Sequence, residues 1–103
     1  MTEPTKIRIQ MEGDVADIRL RMAHTMETGL RKDAAGKTIP AHFIQSFSAS
    51  LNGKTVLQSQ IGTAISRNPS FGFRVKGARI GDKLSVTWTD SKGESRTDEA
   101  TIV

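Results

Sequence analysis

The sequence contains no cysteine, no tyrosine and a single tryptophan. Without a thiol, the chain can form no disulfide, no thiolate metal site and no cysteine nucleophile. The scarcity of aromatic residues disfavours nucleic acid as a partner, because single-stranded nucleic acids are bound by stacking on aromatic side chains. No apolar run is long enough to span a membrane, so we expect no membrane segment either.

The composition, with 36% hydrophobic and 25% charged residues, is that of a soluble globular protein. The 103 residues predict one domain, 1–103, which can bury only a thin core. The first six residues are polar and show no apolar segment typical of a signal peptide. The excess of 15 basic over 11 acidic residues favours an acidic protein partner.

Apolar and polar residues alternate in about seven short segments, which predicts β-strands with one buried face. In the third segment, this alternation places Phe43 and Phe47 inward and Ile44 outward. Asn52-Gly53 predicts a type I′ hairpin turn, and residues 90–93 predict a second turn. We therefore predict an all-β fold, an immunoglobulin-like antiparallel β-sandwich of about seven strands, with a small closed barrel as the alternative.

The longest segment without a strand period begins at His24, between the second and third predicted strands. Connections of this length inside a compact domain tend to be functional or disordered, and this one is not low in complexity. Met26 and Leu30 are candidate apolar anchors within a charged rim, which is typical of a protein interface. The alternative is an ordinary crossover loop whose apolar residues fold onto the core.

No catalytic motif accompanies the two histidines, His24 and His42, so we do not expect an enzyme. Met22, His24 and Met26 alternate, and thioether and imidazole ligands suit Cu(I). This spacing supports one alternative function, a periplasmic copper-binding β-sandwich protein. We favour the simpler interpretation, with Met22 in the core, His24 as a hydrogen-bonding residue at a loop edge and Met26 packed at an interface. No metal and no cofactor are therefore predicted.

Much of the chain closely resembles the signature of SoxZ, a family of sulfur-oxidation proteins. The first group of residues that carry the resemblance is His24 to Gly29, Arg31, Asp33, Gly36, Ile39-Pro40 and Ile44. Further matches are Phe47, Leu51 to Lys54, Ala64 to Pro69, Trp88 to Asp90, and Gly93. The resemblance covers roughly residues 5 to 103 and departs at Thr25, where the family usually has proline.

The resemblance implies an immunoglobulin-like fold and the non-catalytic subunit of the heterodimeric carrier SoxYZ of thiosulfate oxidation. The partner, SoxY, carries sulfur intermediates on a cysteine in a flexible C-terminal arm. The resemblance further implies a periplasmic location, reached by co-export with the partner, and transient docking with other Sox enzymes. An isolated subunit could self-associate through its uncovered interface.

We predict two groups of residues for partner contact or recognition. The first group is His24, Met26, Glu27, Arg31 and Asp33, and the second is Arg67, Asn68 and Pro69. Gly29 is expected to let the loop turn, and Trp88 is expected in the core with a partner for its indole N–H. A third function, an adhesion or carbohydrate-binding module, would require exposed aromatic residues that the sequence lacks.

Overall fold

A computed structural model describes residues 3–62, 65 and 67–103, and Ala64 and Ser66 of the family resemblance lie outside this range. The described chain forms seven strands: β1 (Lys6–Glu12), β2 (Val15–Arg21), β3 (Ile44–Leu51), β4 (Lys54–Gln60), β5 (Ser70–Lys76), β6 (Lys83–Asp90) and β7 (Ser95–Thr101). They make a three-stranded sheet, β1-β2-β5, and a four-stranded sheet, β4-β3-β6-β7. All pairings are antiparallel. The predicted β-sandwich is confirmed, whereas a closed barrel is wrong because the strands form two separate sheets.

The core lies between the sheets and is formed mainly by their central strands. On β2, Ile18 and Leu20 face inward, and on β6, Val86 and Trp88 do so, each with an exposed fraction of 2% or less. Fully burying one such side chain stabilises the fold by about 1.5–3 kcal/mol. No helix in the described residues is long and apolar enough to cross a membrane.

The Asn52-Gly53 turn has the conformation that the sequence predicts. Both residues have positive φ, 50° for Asn52 and 84° for Gly53, as a type I′ turn requires. This turn joins β3 to β4 with Leu51 opposite Lys54. The hairpin prediction is confirmed.

The prediction that Ile44 faces outward is wrong, since this side chain is fully buried. The register between β3 and β6 shifts between Ile44 and Ser46. A β-bulge adds one residue to a strand and therefore reverses which side chains face inward. The bulge also allows Phe43 to pack against the same core while half-buried.

Several connections meet at the end of the sandwich where β2 and β6 finish and β3, β5 and β7 begin. The longest is the connection of residues 22–43 between β2 and β3. The turn before β5 and the β6–β7 turn lie beside it, as the hydrogen bonds Met22 N–H to Pro69 O and Ser91 N–H to Phe43 O show. We call this end of the molecule the site end.

Candidate interaction site at one end of the sandwich

The first part of the long connection, residues 22–27, is held tightly against the sandwich, and we call it the inner segment. The Met22 N–H donates to the Pro69 carbonyl at 2.9 Å, and the Asn68 N–H donates to the His24 carbonyl at 2.9 Å. The Asn68 side-chain oxygen accepts the His24 N–H at 3.1 Å. Asn68 thus satisfies both backbone groups of His24, which fixes the inner segment to the turn before β5.

Met26 belongs to the interior of the molecule. Only 5% of its surface is exposed, and it contacts the main core cluster. Its φ of 51° is unfavourable for a residue with a side chain, by roughly 1–2 kcal/mol. Burial and hydrogen bonds offset this cost, because its N–H donates to His24 Nδ1 at 3.0 Å and its sulfur accepts the Ile44 N–H at 3.3 Å.

The two predicted apolar anchors therefore have different positions. Met26 is only 5% exposed and packs against the core, as the alternative of a crossover loop folded onto the core expects, and its contact with a partner stays a prediction. Leu30 is 86% exposed and does present an apolar side chain to the surface.

The centre of the site end is a buried carboxylate shared by two histidines. Asp90 Oδ2 accepts a hydrogen bond from His24 Nε2 at 3.1 Å and one from His42 Nε2 at 2.7 Å. Its other oxygen, Oδ1, accepts the N–H groups of Lys92 and Glu94 at 3.0 and 2.9 Å. Asp90 is only 2% exposed, so all four hydrogen bonds are needed to compensate for its burial.

The electrostatics of this cluster favour a charged Asp90. Burial alone raises the pKa of the Asp90 carboxyl. The hydrogen bonds from His24, His42 and the amides of Glu94 and Lys92 outweigh burial and lower this pKa below its ordinary value. The carboxylate therefore stays ionised and fastens the long connection to the β6–β7 turn.

The donor atoms of His24, His42 and Asp90 lie within 4.8 Å of one another, a spacing that a metal ion could use. However, His24 Nδ1 accepts the Met26 N–H, so the ring proton lies on Nε2 and points at Asp90. Binding a metal through Nε2 would move that proton to Nδ1, against the Met26 N–H. The hydrogen bonds thus favour a closed structural cluster.

The ligand set of the copper alternative is likewise occupied or buried. Met22 is fully buried, and the Met26 sulfur already accepts a hydrogen bond. His24 uses both ring nitrogens within the protein and packs edge-on against Trp88, with ring centroids 5.4 Å apart. No observation on these three residues favours copper binding.

A cleft of about 470 Å³ opens beside the cluster. Its lining includes His24, Glu27, Arg31, His42, Arg67, Asn68 and Trp88. Arg31 forms a two-point ion pair with Glu27 in this lining. The hydrogen bond from Arg31 holds the pKa of Glu27 below its ordinary value, and Arg67 adds to this effect through its charge. The cleft therefore presents fixed charges of both signs to solvent.

The second part of the connection, residues 28–41, is mostly exposed, and we call it the outer hairpin. Lys32 and Thr38 form its only strand-like bridge among the described residues. Asp33 shapes its tip, because its Oδ1 accepts the N–H groups of Ala35 and Lys37 at 2.9 and 3.0 Å. Asp33 thus has a clear structural role, and its contact with a partner stays a prediction.

Gly29 marks the boundary between the inner segment and the outer hairpin. Its φ is 84°, and a Cβ at this position would lie 3.2 Å from the Ala41 Cβ. A positive φ and a close approach of the chain both require glycine here. The predicted conformational role of Gly29 agrees with this geometry.

The structure brings five of the eight predicted contact residues together around the cleft, namely His24, Glu27, Arg31, Arg67 and Asn68. Met26 and Pro69 are buried, and Asp33 lies at the hairpin tip. A role for any of the eight in contacting a partner stays a prediction.

Asp90 and His42 are central to the site but absent from the predicted contact residues. A signal for Asp90 is present in the sequence, because it continues the inward alternation of Val86 and Trp88. A carboxylate at a core-facing position needs donors, and the two histidines are candidates near it in the fold. Trp88 is in the core as predicted, but its indole N–H has no hydrogen-bond partner within the described residues.

A family model described as "Sulphur oxidation protein SoxZ" matches residues 6–101, a range that starts with β1 and ends with β7. A search of the curated proteins found no match. The matched range contains the inner segment, the outer hairpin and both histidines.

Proposed function

This chain belongs to the SoxZ family and acts in the sulfur oxidation system, and we propose that it is the non-catalytic subunit of a heterodimeric sulfur carrier. The family match over residues 6–101 is the observation that carries this proposal. The partner is a SoxY-like subunit that holds sulfur intermediates of thiosulfate oxidation on a cysteine in its C-terminal arm. This chain has no cysteine, so it has no thiol to hold or exchange sulfur itself.

In this proposal, the chain is a scaffold that presents a recognition surface to the partner and to the Sox enzymes. The site end suits such a role, because the Asp90 cluster fixes the base of the long connection while the outer hairpin stays exposed. Leu30 supplies an exposed apolar group beside the ion pair of Glu27 and Arg31. An apolar centre with a charged rim is the usual anatomy of an interface.

The proposal includes a periplasmic location, reached by co-export with the partner, and transient docking with other Sox enzymes. It also includes the absence of an activity of the chain's own. These points follow from the resemblance to the family and belong to the proposal; the three side chains of the copper-binding alternative are buried or engaged within the protein.

Co-purification tests the proposal directly. The tagged chain is expressed in its host during growth on thiosulfate, and the proteins that accompany it from the periplasm are identified by intact mass. We expect one stoichiometric partner with a C-terminal cysteine arm that carries added sulfur. Recovery of the chain alone, or with copper bound, would contradict the carrier proposal.

Two matched variants then test the part played by the site end. Leu30→Ser and Ile80→Ser each remove an exposed large hydrophobic side chain, 86% and 74% exposed, at opposite ends of the sandwich. We expect Leu30→Ser to weaken binding of the co-purified partner by about tenfold, and Ile80→Ser to leave it unchanged. An equal effect, or no effect of Leu30→Ser, would show that the outer hairpin is not the docking surface.

A further inference from the structure

The outer face of the three-stranded sheet carries four basic side chains in one compact group. Lys6 pairs directly with Arg21, and Arg8 pairs directly with Arg19, across β1 and β2. All four residues are exposed, and we call this group the basic block. Like charges placed directly opposite each other destabilise a strand pair, so this arrangement opposes folding.

The charges of the basic block are poorly compensated within the described residues. Of the four, only Arg19 has an ion pair with a described residue, with Asp17 at 3.6 Å, and its side chain is still 71% exposed. Glu3 lines a neighbouring cleft with Lys6 and Arg21, and in the described part of the chain it forms no ion pair with either. The chain has 15 basic and 11 acidic residues, so removing these four would leave it balanced at 11 of each.

Elsewhere on the sheet surfaces, charged side chains lie next to groups of opposite charge or neutral polar groups. On the same face, Asp17 lies opposite both Gln10 and Arg74, so unlike groups meet. On the four-stranded sheet, Lys83 forms an ion pair with Glu99 at 3.8 Å. The repulsive arrangement is therefore local to one half of one face.

Space for a ligand lies next to the basic block. The lining of a groove of about 670 Å³ includes these four residues, Ser70 and Gly72 of β5, and the inward-facing residues Ile7, Leu20 and Phe71 that alternate with them. Gly72 presents no side chain, and a Cβ there would have its nearest neighbour, Arg19 Nε, at 3.9 Å. Two small residues of β5, Ser70 and Gly72, thus lie beside the four cations in the groove.

We propose that the basic block is a docking surface for an extended acidic segment of a protein partner. Alternate side chains along a strand are about 6.6 Å apart, so carboxylates at every second position of an extended segment match the spacing of Lys6 and Arg8. This outer face carries no aromatic side chain, so it lacks the stacking surface that single-stranded nucleic acid uses. The basic block lies on the outer face of the three-stranded sheet and reaches the site end at Lys6 and Arg21, which line a cleft with Met22 and Asn68. The inference rests on this sheet face and does not depend on the carrier proposal.

A peptide of alternating Glu and Ser is the probe for this surface, and its Gln-Ser counterpart is the uncharged control. Binding to the full chain is followed by NMR titration at low and at physiological salt. We expect the acidic peptide to bind and to change the NMR chemical shifts of residues in the basic block only. Its affinity should fall as the salt concentration rises, because salt screens exposed charges. Tighter binding of an oligonucleotide to the same residues would overturn the assignment to an acidic protein.

Paired variants separate this surface from general charge effects. The double variant Arg8→Gln with Arg19→Gln is expected to weaken binding of the acidic peptide by about tenfold. The melting temperature of the variant should be equal to that of the original chain or higher, because the repulsion between these two arginines is removed. Arg74→Gln with Lys76→Gln changes the net charge equally on the same face and is expected to leave binding nearly unchanged. Equal losses in both pairs, or equal binding of the uncharged peptide, would overturn the proposal.

Discussion

The inner segment and the outer hairpin are neighbours in the sequence but differ in what determines their structure. In the inner segment, His24 and Met26 are 8% and 5% exposed, and their backbone and side chains bond to three other parts of the chain. In the outer hairpin, nearly every residue is exposed, and apart from the ion pair of Arg31 with Glu27 its hydrogen bonds run within the hairpin itself.

The difference shows that the family signature contains both residues that fix the structure of the connection and residues that are exposed on its surface. His24, Met26 and Gly29 hold the connection in place, whereas the side chains of Leu30 and Arg31 are exposed, Arg31 in an ion pair with Glu27. Exposed loops tolerate variation unless they bind something, so the two parts should respond differently to substitution.

Substitution of Met26 should have the largest effect. Met26→Ala removes a buried side chain and is expected to lower the free energy of unfolding by about 2–4 kcal/mol. Leu30→Ala, its exposed counterpart in the outer hairpin, should change it by less than about 0.5 kcal/mol. Urea denaturation measures both values, and similar losses would abolish the distinction between the two parts.

Asp90→Asn should have the next largest effect, because it removes the charge that four donors surround. We expect the free energy of unfolding at neutral pH to fall by about 2–3 kcal/mol. The pKa of Asp90 is lower in the folded than in the unfolded protein, so its stabilising contribution is present above the unfolded value near 3.9.

That contribution is lost as the pH falls through the folded pKa of Asp90, where the carboxylate becomes protonated. Unfolding curves recorded from neutral to acidic pH should therefore show a smaller decline for Asp90→Asn than for the original chain. Parallel declines would mean that the Asp90 cluster contributes nothing to acid sensitivity.

Gly29→Ala tests the boundary between the two parts. The substitution places a Cβ at a position with an unfavourable positive φ and 3.2 Å from the Ala41 Cβ. We expect the free energy of unfolding to fall by about 1–2 kcal/mol. Gly36→Ala is the matched control, since it has a φ of 82° but no atom within 4 Å. A thermal melt in which both variants lose the same amount would show that the close approach to Ala41 is unimportant.

Asp33→Ala should have the smallest effect on the whole molecule. It removes the acceptor of the Ala35 and Lys37 amides, and we expect those amides to exchange their hydrogens about tenfold faster. The unfolding midpoint should stay unchanged, because the outer hairpin adds little to the core. A lower midpoint would instead tie the hairpin to the stability of the sandwich.

Asp90 illustrates what could and could not be predicted about the site. Its inward position follows from the alternation of β6, and its turn role follows from the sequence Asp90-Ser91-Lys92-Gly93. Its two histidine partners are 66 and 48 residues away, and only the packing of three connections at one end brings them within 3.1 Å. The sequence therefore predicts that Asp90 needs donors without predicting which ones.

The sequence by itself determined the strands, the two-residue turn at Asn52-Gly53 and the family, because these depend on local alternation, local φ preferences and a nearly continuous match. Only the tertiary structure decided the burial of Ile44 and Met26 and the sharing of Asp90 by two histidines. The bulge in β3 turns the Ile44 side chain inward, and the buried carboxylate of Asp90 accepts hydrogen bonds from histidines on a distant connection. Both depend on contacts between residues far apart in the chain.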